Sequence, residues 1–319
     1  IFNGDFNNIT NLWINRTKTN GGFFGYIQNA QIRNLGIKTA KDKEITGGQN
    51  IGGIVGDANV SNIINSCFAG SIRSNRGGNV GGIVGEAIRS NITNSCFAGN
   101  VNGSNQVGGI AGYAQYGNII NSHSAGSIGV DYNFGGGIAG YIERSSIANS
   151  YSTINANGKS YIGGIAGQVT VSDIINSYSI GSINGTNSYI GGIAGSVLDG
   201  TVRNNTAINP SVTGVIDVNR VVGSTRSSIN FKSSNNFALD VMIGGANYDG
   251  VTNSFSNSSD TMYHGTDKTK TELKTQSTYE NDEASGGLGW KFGNDDDNPW
   301  KIDPNKNNGY PYLYWQDIR

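Results

Sequence analysis

Several residue types that build common kinds of functional site are scarce in this sequence of 319 residues. Two cysteines exclude a disulfide-knitted scaffold, and two histidines, His123 and His264, are too few for a histidine-rich metal centre. Charged residues make up 14% of the chain and the formal net charge is -1, so no basic surface for nucleic acid or an anionic membrane is indicated. No apolar run approaches the roughly 20 residues of a transmembrane helix. We expect no nucleic-acid partner, no direct membrane insertion and no cofactor.

Glycine, by contrast, is abundant at 49 residues, and it recurs in a repeat. A Gly-Gly-apolar-apolar-Gly unit, spaced by 27 to 31 residues, begins at Gly21, Gly52, Gly81, Gly108, Gly136, Gly163 and Gly191. Each unit contains short runs rich in Ile and Val that end in Gly, Asn or Ser, a pattern typical of strands. Units that cannot bury their own apolar face must stack on one another. We therefore predict an all-β fold, a parallel β-solenoid (β-helix) of about eight coils with three short strands per coil.

One position of every repeat is asparagine. The set comprises Asn34, Asn65, Asn94, Asn121, Asn149, Asn176 and Asn204. The position before it accepts Arg33 and Arg203, so it is predicted to point outwards and the asparagine to point inwards. Amides that stack about 4.8 Å apart in parallel strands can bond to one another. We interpret the set as a structural ladder inside the solenoid.

The pattern Gly-Gly-Ile-Val-Gly followed by Ile-x-Asn-Ser resembles the GLUG repeat of large bacterial surface and secreted proteins. The best matching stretches are 52–70, 81–99, 108–126, 136–150, 163–181 and 191–209. The resemblance implies a relative of adhesin-like exoproteins and of some immunoglobulin A proteases. Because the sequence has no His-Glu-x-x-His zinc motif, protease activity does not follow from the resemblance.

The composition divides the chain into four parts. We predict an N-terminal cap over 1–20, the GLUG-type solenoid over 21–223, an irregular final coil and connection over 224–268, and an aromatic-rich C-terminal cap over 269–319. In the last part, Thr269-Lys270-Thr271-Glu272 fits a capping box that opens a short helix to about Tyr279. We expect this cap to pack on the last coil, and the chain to be a mature piece of a longer protein.

Cys67 and Cys96 occupy equivalent positions in adjacent coils. Their Cα atoms should therefore lie within the range that a disulfide spans, and an exported protein favours oxidation. In directly stacked strands, however, the Cα–Cβ bonds of the two residues do not point in directions that favour a disulfide. The sequence leaves open whether the two are bonded.

The only dense acidic run is Asn294-Asp295-Asp296-Asp297-Asn298. Its three carboxylates, those of Asp295, Asp296 and Asp297, are the one calcium candidate, because calcium prefers oxygen ligands. The spacing differs from that of an EF-hand loop, and a solvated loop is the simpler interpretation. We predict no metal site elsewhere.

Two columns of equivalent positions turn aromatic in the same coils. One column runs Asn50, Asn79, Gln106, Phe134, Tyr161, Tyr189, and the other runs Cys67, Cys96, His123, Tyr151, Tyr178. Stacking of the rings can stabilise the coils, or exposed rings can form a platform for a glycan or a protein. The candidate platform residues are Phe134, Tyr161, Tyr189, Tyr151 and Tyr178. A column that accepts His and Tyr is expected to be at least half exposed.

The function expected from these features is non-enzymatic. We predict a secreted or cell-surface module, the stalk or binding segment of a large adhesin-like protein, with a surface protein or glycan of a host or neighbouring cell as partner. The alternative is a carbohydrate-active β-helix enzyme, a polysaccharide lyase or hydrolase. Such enzymes need paired carboxylates, and Asp57 and Glu86 are predicted to stack in adjacent coils, where surface charge is the simpler interpretation.

Overall fold

The structure is a computed structural model that describes residues 1–17, 19–225, 230–248, 251–252 and 261–318. It is a parallel β-solenoid of about nine coils, and nearly all of its strands belong to one continuous sheet. The predicted fold class is confirmed. Among the described residues, no helix has the length and apolar character that crossing a membrane requires.

The strands are short and follow one another with the period of the repeat. In the first half of the chain they are β1 (Phe2–Leu12), β2 (Ile14–Asn15), β3 (Phe24–Gln28), β4 (Gln31–Thr39), β5 (Glu44–Gly47), β6 (Ile51–Gly52), β7 (Val55–Asn59), β8 (Asn62–Ile64), β9 (Cys67–Ser74), β10 (Val80–Gly81), β11 (Val84–Ile88), β12 (Asn91–Thr93), β13 (Cys96–Gly108), β14 (Ala111–Gln115), β15 (Asn118–Ile120), β16 (His123–Gly136), β17 (Ala139–Glu143), β18 (Ser146–Ala148), β19 (Tyr151–Ser152) and β20 (Asn155–Gly163).

The second half continues the pattern and ends in a segment with short helices. Its strands are β21 (Ala166–Ile175), β22 (Tyr178–Ser179), β23 (Ile183–Gly185), β24 (Ser188–Gly191), β25 (Ala194–Arg203), β26 (Thr206–Ala207), β27 (Ser211–Gly214), β28 (Ile216–Asn219), β29 (Val222–Ser224), β30 (Phe231–Ser234), β31 (Phe237–Leu239), β32 (Ile243–Tyr248), β33 (Val251–Thr252), β34 (Thr266–Lys268), β35 (Trp300–Lys301) and β36 (Tyr312–Leu313). Two short α-helices are α1 (Thr261–His264) and α2 (Gln276–Glu280), and 3₁₀ turns cover Glu272–Lys274, Glu283–Ser285, Asn307–Gly309 and Tyr314–Asp317.

Each coil pairs in parallel and in register with the next, so equivalent residues form columns. The isoleucine of the repeat shows this, because Ile63, Ile92 and Ile119 are register partners in successive coils and are at most 2% exposed. Phe68 and Phe97 stack inside the solenoid with ring planes 4° apart. These apolar columns form a continuous core along the axis, and their burial is the main stabilising contribution.

The seven repeat asparagines lie at a corner of the coil, and the predicted inward orientation is wrong. All have φ between 48° and 56°, the left-handed conformation that asparagine tolerates better than most residues. This conformation interrupts the strand alternation on which the prediction depended. Five of the seven remain partly exposed, while Asn94 and Asn121 are covered by the C-terminal segment. Amides still bond along parts of the column, as Asn65 Nδ2 does to Asn34 Oδ1 at 3.1 Å.

The buried position at this corner belongs to the serine that follows the asparagine. The fully buried members are Ser66, Ser95, Ser122, Ser150 and Ser177. Ser122 Oγ donates to the carbonyl oxygen of Ile120 at 2.9 Å and accepts from the N–H of Ser95 at 3.2 Å. The hydroxyl thus provides the acceptor for the Ser95 N–H and a second donor to the Ile120 carbonyl, which also accepts from the N–H of Asn94 at 3.1 Å. A second corner uses the same arrangement at Ser61, Ser90, Ser145 and Ser172.

The ends of the solenoid are more regular than the sequence indicates. The segment 1–15, expected as part of a cap, forms a first coil in which β1 pairs in parallel with β4 and β2 with β5. In the region 224–268, β30, β31 and β32 continue the parallel ladders. Residues 226–229, 249–250 and 253–260 of that predicted connection lie outside the described residues.

The C-terminal strap, residues 269–318, contacts the final coil, where Asn235 Nδ2 donates to the carbonyl oxygen of Gly287 at 3.0 Å, but it is not confined to that coil as expected and runs along the side of the solenoid. Trp290 Nε1 donates to the carbonyl oxygen of Asn204 at 2.9 Å, and Trp315 Nε1 donates to that of Asn121 at 2.9 Å. The strap therefore spans several coils, because its aromatic side chains find their apolar partners on the flank. Thr269 and Glu272 form the capping-box hydrogen bonds, but the predicted helix is divided by Thr275, which has extended φ and ψ.

Candidate functional site

Two neighbouring columns, one just before and one just after the glycine pair of each repeat, bring five aromatic rings together. We call this set the aromatic shelf; its members are Tyr113, Phe134, Tyr141, Tyr161 and Tyr189. The ring centroids of Tyr161 lie 4.9 Å from Phe134 and 4.7 Å from Tyr189. Tyr141 joins the two columns, at 5.2 Å from Tyr113 and 5.7 Å from Phe134. All five rings are partly exposed, so the shelf is an open surface.

The rings of the shelf are tilted rather than flat on one another. Interplanar angles range from 31° to 52° across its four contacts. A ring that is tilted away from its neighbour keeps part of its π face accessible. The shelf can therefore contact planar, aliphatic or cationic groups of a ligand.

Three shelf residues occupy a corner at which the backbone is left-handed. Phe134, Tyr161 and Tyr189 have φ of 66°, 57° and 65°, which is unusual for bulky side chains. Of the equivalent positions, Asn20, Gln106 and Asp217 share this conformation, with φ of 58°, 47° and 53°, which asparagine and aspartate accept more readily than most residues. The aromatic side chains thus stand where the backbone favours asparagine or aspartate.

Carboxylates lie next to the shelf on the same column as Tyr113. Asp57 and Glu86 are register partners, and Glu86 is in turn the partner of Tyr113. Burial raises the pKa of the Glu86 carboxyl, the charge of Asp57 raises it further, and the hydrogen bond from Asn50 Nδ2 at 2.5 Å acts in the opposite direction. Burial likewise raises the pKa of Asp57. The two therefore form a partly buried acidic pair at one end of the shelf.

Tyr113 connects the shelf to a further carboxylate. Its hydroxyl donates to Glu143 Oε2 at 2.7 Å. Burial, and then this carboxylate, raise the pKa of the Tyr113 hydroxyl. Glu143 also forms an ion pair with Arg144 at 3.6 Å, so its charge is compensated locally.

The second aromatic column is buried, which corrects the expectation that Tyr151 and Tyr178 are exposed platform residues. Tyr151 is 4% exposed and Tyr178 0%, because tryptophans of the strap cover them. The Trp300 ring lies 5.8 Å from Tyr178 and stacks at 4.6 Å on Trp290. Tyr178 donates to the carbonyl oxygen of Pro311. Tyr151 and Tyr178 therefore stabilise the docked strap and are covered by it.

Cys67 and Cys96, at the start of the buried column, are joined by a disulfide with a Cα–Cα distance of 4.5 Å. The two are direct register partners. His123 follows them and stacks on both Tyr151 and Trp315, with centroids 5.0 Å and 5.3 Å away. The imidazole is thus packed between aromatic rings.

The acidic run belongs to the docking of the strap. Asp295 Oδ1 accepts hydrogen bonds from the backbone N–H groups of Asp297 and Asn298, which lower the pKa of Asp295. Asp296 Oδ1 accepts from Asn94 Nδ2 and from the hydroxyl of Tyr314, both at 2.8 Å. Within the described ranges, no group of three or more His, Cys, Asp or Glu side chains is placed to hold a metal ion. The calcium candidate thus gains no support.

Sequence reasoning located part of the shelf and missed the rest. It identified Phe134, Tyr161 and Tyr189, but not Tyr113 and Tyr141. The signal was present, because extending the Asp57–Glu86 column by one repeat at a time leads to Tyr113 and then Tyr141. The repeat does not reveal that the column of Tyr113 and Tyr141 lies beside the column of Phe134, Tyr161 and Tyr189. That adjacency depends on the backbone conformation at the corner.

Comparisons with known proteins agree with this architecture. The GLUG motif matches residues 103–129. No curated protein is significantly similar to the chain in sequence. A crystal structure of a "putative immunoglobulin A1 protease" from Bacteroides ovatus is similar, with a TM-score of 0.52 and 22% identity over 91% of this chain and 86% of that one. That likeness supports the fold alone. The chain therefore carries the GLUG motif, and the other repeats of the solenoid are in register with the matched one.

Proposed function

We propose that the chain is a non-enzymatic module of a secreted or cell-surface protein, acting as a stalk or binding segment of an adhesin-like assembly. The observation that carries the proposal is the aromatic shelf, which stays open while the strap covers the equivalent aromatic column on the flank. Exposed aromatic clusters on soluble proteins commonly mark interaction sites.

The shape and the cross-link support the same role. About nine coils at roughly 4.8 Å each make a rod of about 43 Å, whose continuous ladders suit a spacer that presents one face. A disulfide between Cys67 and Cys96 is typical of an oxidising compartment. The partner would be a surface protein or glycan of another cell.

The carbohydrate-active alternative rests on the acidic pair. Asp57 and Glu86 are adjacent, partly buried and have raised pKa values, which are features of glycosidase carboxylates. Against this, each accepts a hydrogen bond from an asparagine, Asn20 or Asn50, and the pair lies on an open face. The name of the structural neighbour, a putative immunoglobulin A1 protease, adds proteolysis as a further activity to test.

A binding and turnover experiment separates these functions. The intact chain is immobilised and exposed to glycan arrays and to cell-surface protein extracts, and in parallel is incubated with polysaccharides and with immunoglobulin A1. We expect saturable binding that Tyr161→Asn with Tyr189→Asn abolishes, and no cleavage. Cleavage of a polysaccharide by the parent chain that is lost in Glu86→Gln would instead establish a carbohydrate-active enzyme. Absence of both binding and turnover would leave only a passive spacer.

A further inference from the structure

The three columns of the face that carries the shelf have acidic residues and no basic ones, while Arg89 and Arg144 lie at the corner that follows the third column. The three columns comprise Asn20, Asn50, Asn79, Gln106, Phe134, Tyr161, Tyr189, Asp217; Tyr26, Asp57, Glu86, Tyr113, Tyr141, Gln168, Ser196, Ser224; and Gln28, Asn59, Ile88, Gln115, Glu143, Thr170, Leu198. Of these, Gln168 and Ser196 are buried. None of these positions is Lys or Arg. The face is therefore complementary to a cation.

Three of its acids are available to a partner. Among the described residues, the ion pairs include Glu143 but not Asp57, Glu86 or Asp217. Asp217 is exposed and follows Tyr189 in the corner column, because the neighbouring residues Ile190 and Val218 are register partners. The shelf is thus bounded by Glu86, backed by Asp57, at one end and by Asp217 at the other.

The spacing between these ends sets the length of a suitable ligand. Glu86 belongs to the coil that begins at Gly81, and Asp217 precedes the degenerate repeat at Asn219, five coils further on. Five steps of about 4.8 Å give about 24 Å. An extended peptide covers this distance with about seven residues.

The chemistry between the ends suits the same ligand. Tilted phenol rings with accessible faces attract guanidinium and ammonium groups, most strongly guanidinium. Their hydroxyl groups can bond to peptide groups above them. A neutral glycan would use the rings but not the carboxylates at the two ends.

We propose that the aromatic shelf binds an extended segment of a partner protein that carries two basic residues about seven positions apart. One basic side chain pairs with Glu86 and the other with Asp217, and the chain between them lies over Tyr161 and Tyr189. This inference rests on the proposed binding function and specifies its partner.

The test uses the intact disulfide-bonded chain and synthetic peptides with two arginines about seven residues apart. Matched peptides carry the arginines side by side, or two glutamates in their place. We expect the spaced dibasic peptide to bind most tightly, with an affinity that falls as salt is raised. Glu86→Gln and Asp217→Asn should each weaken it about threefold to fivefold, and Tyr161→Asn with Tyr189→Asn at least about tenfold.

Two features of the design keep the result interpretable. Asparagine suits the left-handed backbone at these corners, so the shelf variants should fold, which circular dichroism and a melting curve verify. Tyr116→Ser is the control, because Tyr116 is exposed at another corner, between Arg89 and Arg144, and it should leave peptide affinity unchanged.

Three results would overturn the inference. They are equal affinity for the acidic peptide, equal affinity for the peptide with adjacent arginines, and shelf variants that bind as well as the parent. Shelf-dependent capture of a neutral glycan or an amino-sugar polymer, without peptide binding, would also overturn it while leaving the proposed binding function intact. Failure of the chain to bind anything on cells or arrays would instead refute that function.

Discussion

Two columns of this solenoid become aromatic in the same coils, yet they have opposite environments. The column of Tyr151 and Tyr178 lies under Trp290 and Trp300 and is almost fully buried. The column of Phe134, Tyr161 and Tyr189 contacts Tyr141 of the neighbouring column and stays partly exposed. The same sequence signal therefore serves docking on one side and presentation on the other. Which role a column has is decided by the non-repeating part of the chain.

The largest expected effect is on the covered column. Trp300→Ala should lower the free energy of unfolding by about 3–5 kcal/mol, because the indole is 0% exposed and contacts both Trp290 and Tyr178. Denaturant unfolding followed by far-UV circular dichroism measures this. A loss below about 1 kcal/mol would mean that the strap is not part of the cooperative unit and that the two columns do not differ as described.

The register of the fold was predictable because every coil obeys the same rule, whereas the covering of a column was not. Repeats of about 28 residues bury their apolar positions together only when they stack in register. Equivalent residues such as Cys67 and Cys96 therefore become neighbours. Asn94 and Asp296, in contrast, are 202 residues apart, and nothing periodic connects them. The direction of the corner asparagines was mispredicted because each asparagine is itself the left-handed residue, so the in-and-out alternation of the strand stops at that position.

The covered column also begins with the disulfide, so its removal is the next largest effect. Cys67→Ala with Cys96→Ala should cost about 2–4 kcal/mol, since the cross-link closes a loop between positions 29 residues apart. Calorimetry or denaturant unfolding under non-reducing conditions is the measurement. Thiol counting on the unfolded, unreduced parent should detect no free thiol. Two free thiols there would contradict the bond.

The serine corner beneath the strap should be more sensitive than a serine on an open face. Ser122→Ala removes the acceptor of the Ser95 N–H, whereas the Ile120 carbonyl keeps the N–H of Asn94 as its donor. Leaving the buried Ser95 N–H unpaired costs about 1–3 kcal/mol. Ser127→Ala is the control, because Ser127 Oγ bonds to Asn100 at an exposed position. Similar losses for the two variants would remove the explanation given for the corner.

Acid should loosen the end of the strap. Hydrogen bonds from Lys306, Lys301 and Tyr312 lower the pKa of the Asp317 carboxyl to about 2. Because the folded-state pKa is depressed, the stabilisation is present above about pH 4, the unfolded value, and is lost as the pH falls towards about 2. The stability difference between the parent and Asp317→Asn should therefore shrink over that interval. A difference that is the same at pH 7 and pH 2 would assign the effect to packing.

The smallest effect tests whether the open shelf has a structural role at all. Val171 and Tyr161 both have left-handed backbones, with φ of 50° and 57°, but Val171 is 50% exposed and lies at a corner without a ring stack. Val171→Asn should raise the free energy of unfolding by about 1 kcal/mol, because asparagine relieves the conformational cost. Tyr161→Asn gains the same relief but loses contacts with Phe134 and Tyr189, worth about 0.5–1.5 kcal/mol each. The difference between the two variants therefore measures the stacking energy, expected near 2 kcal/mol. If Tyr161→Asn stabilises the chain as much as Val171→Asn does, stacking contributes nothing to the fold, and the rings are then present for the ligand alone.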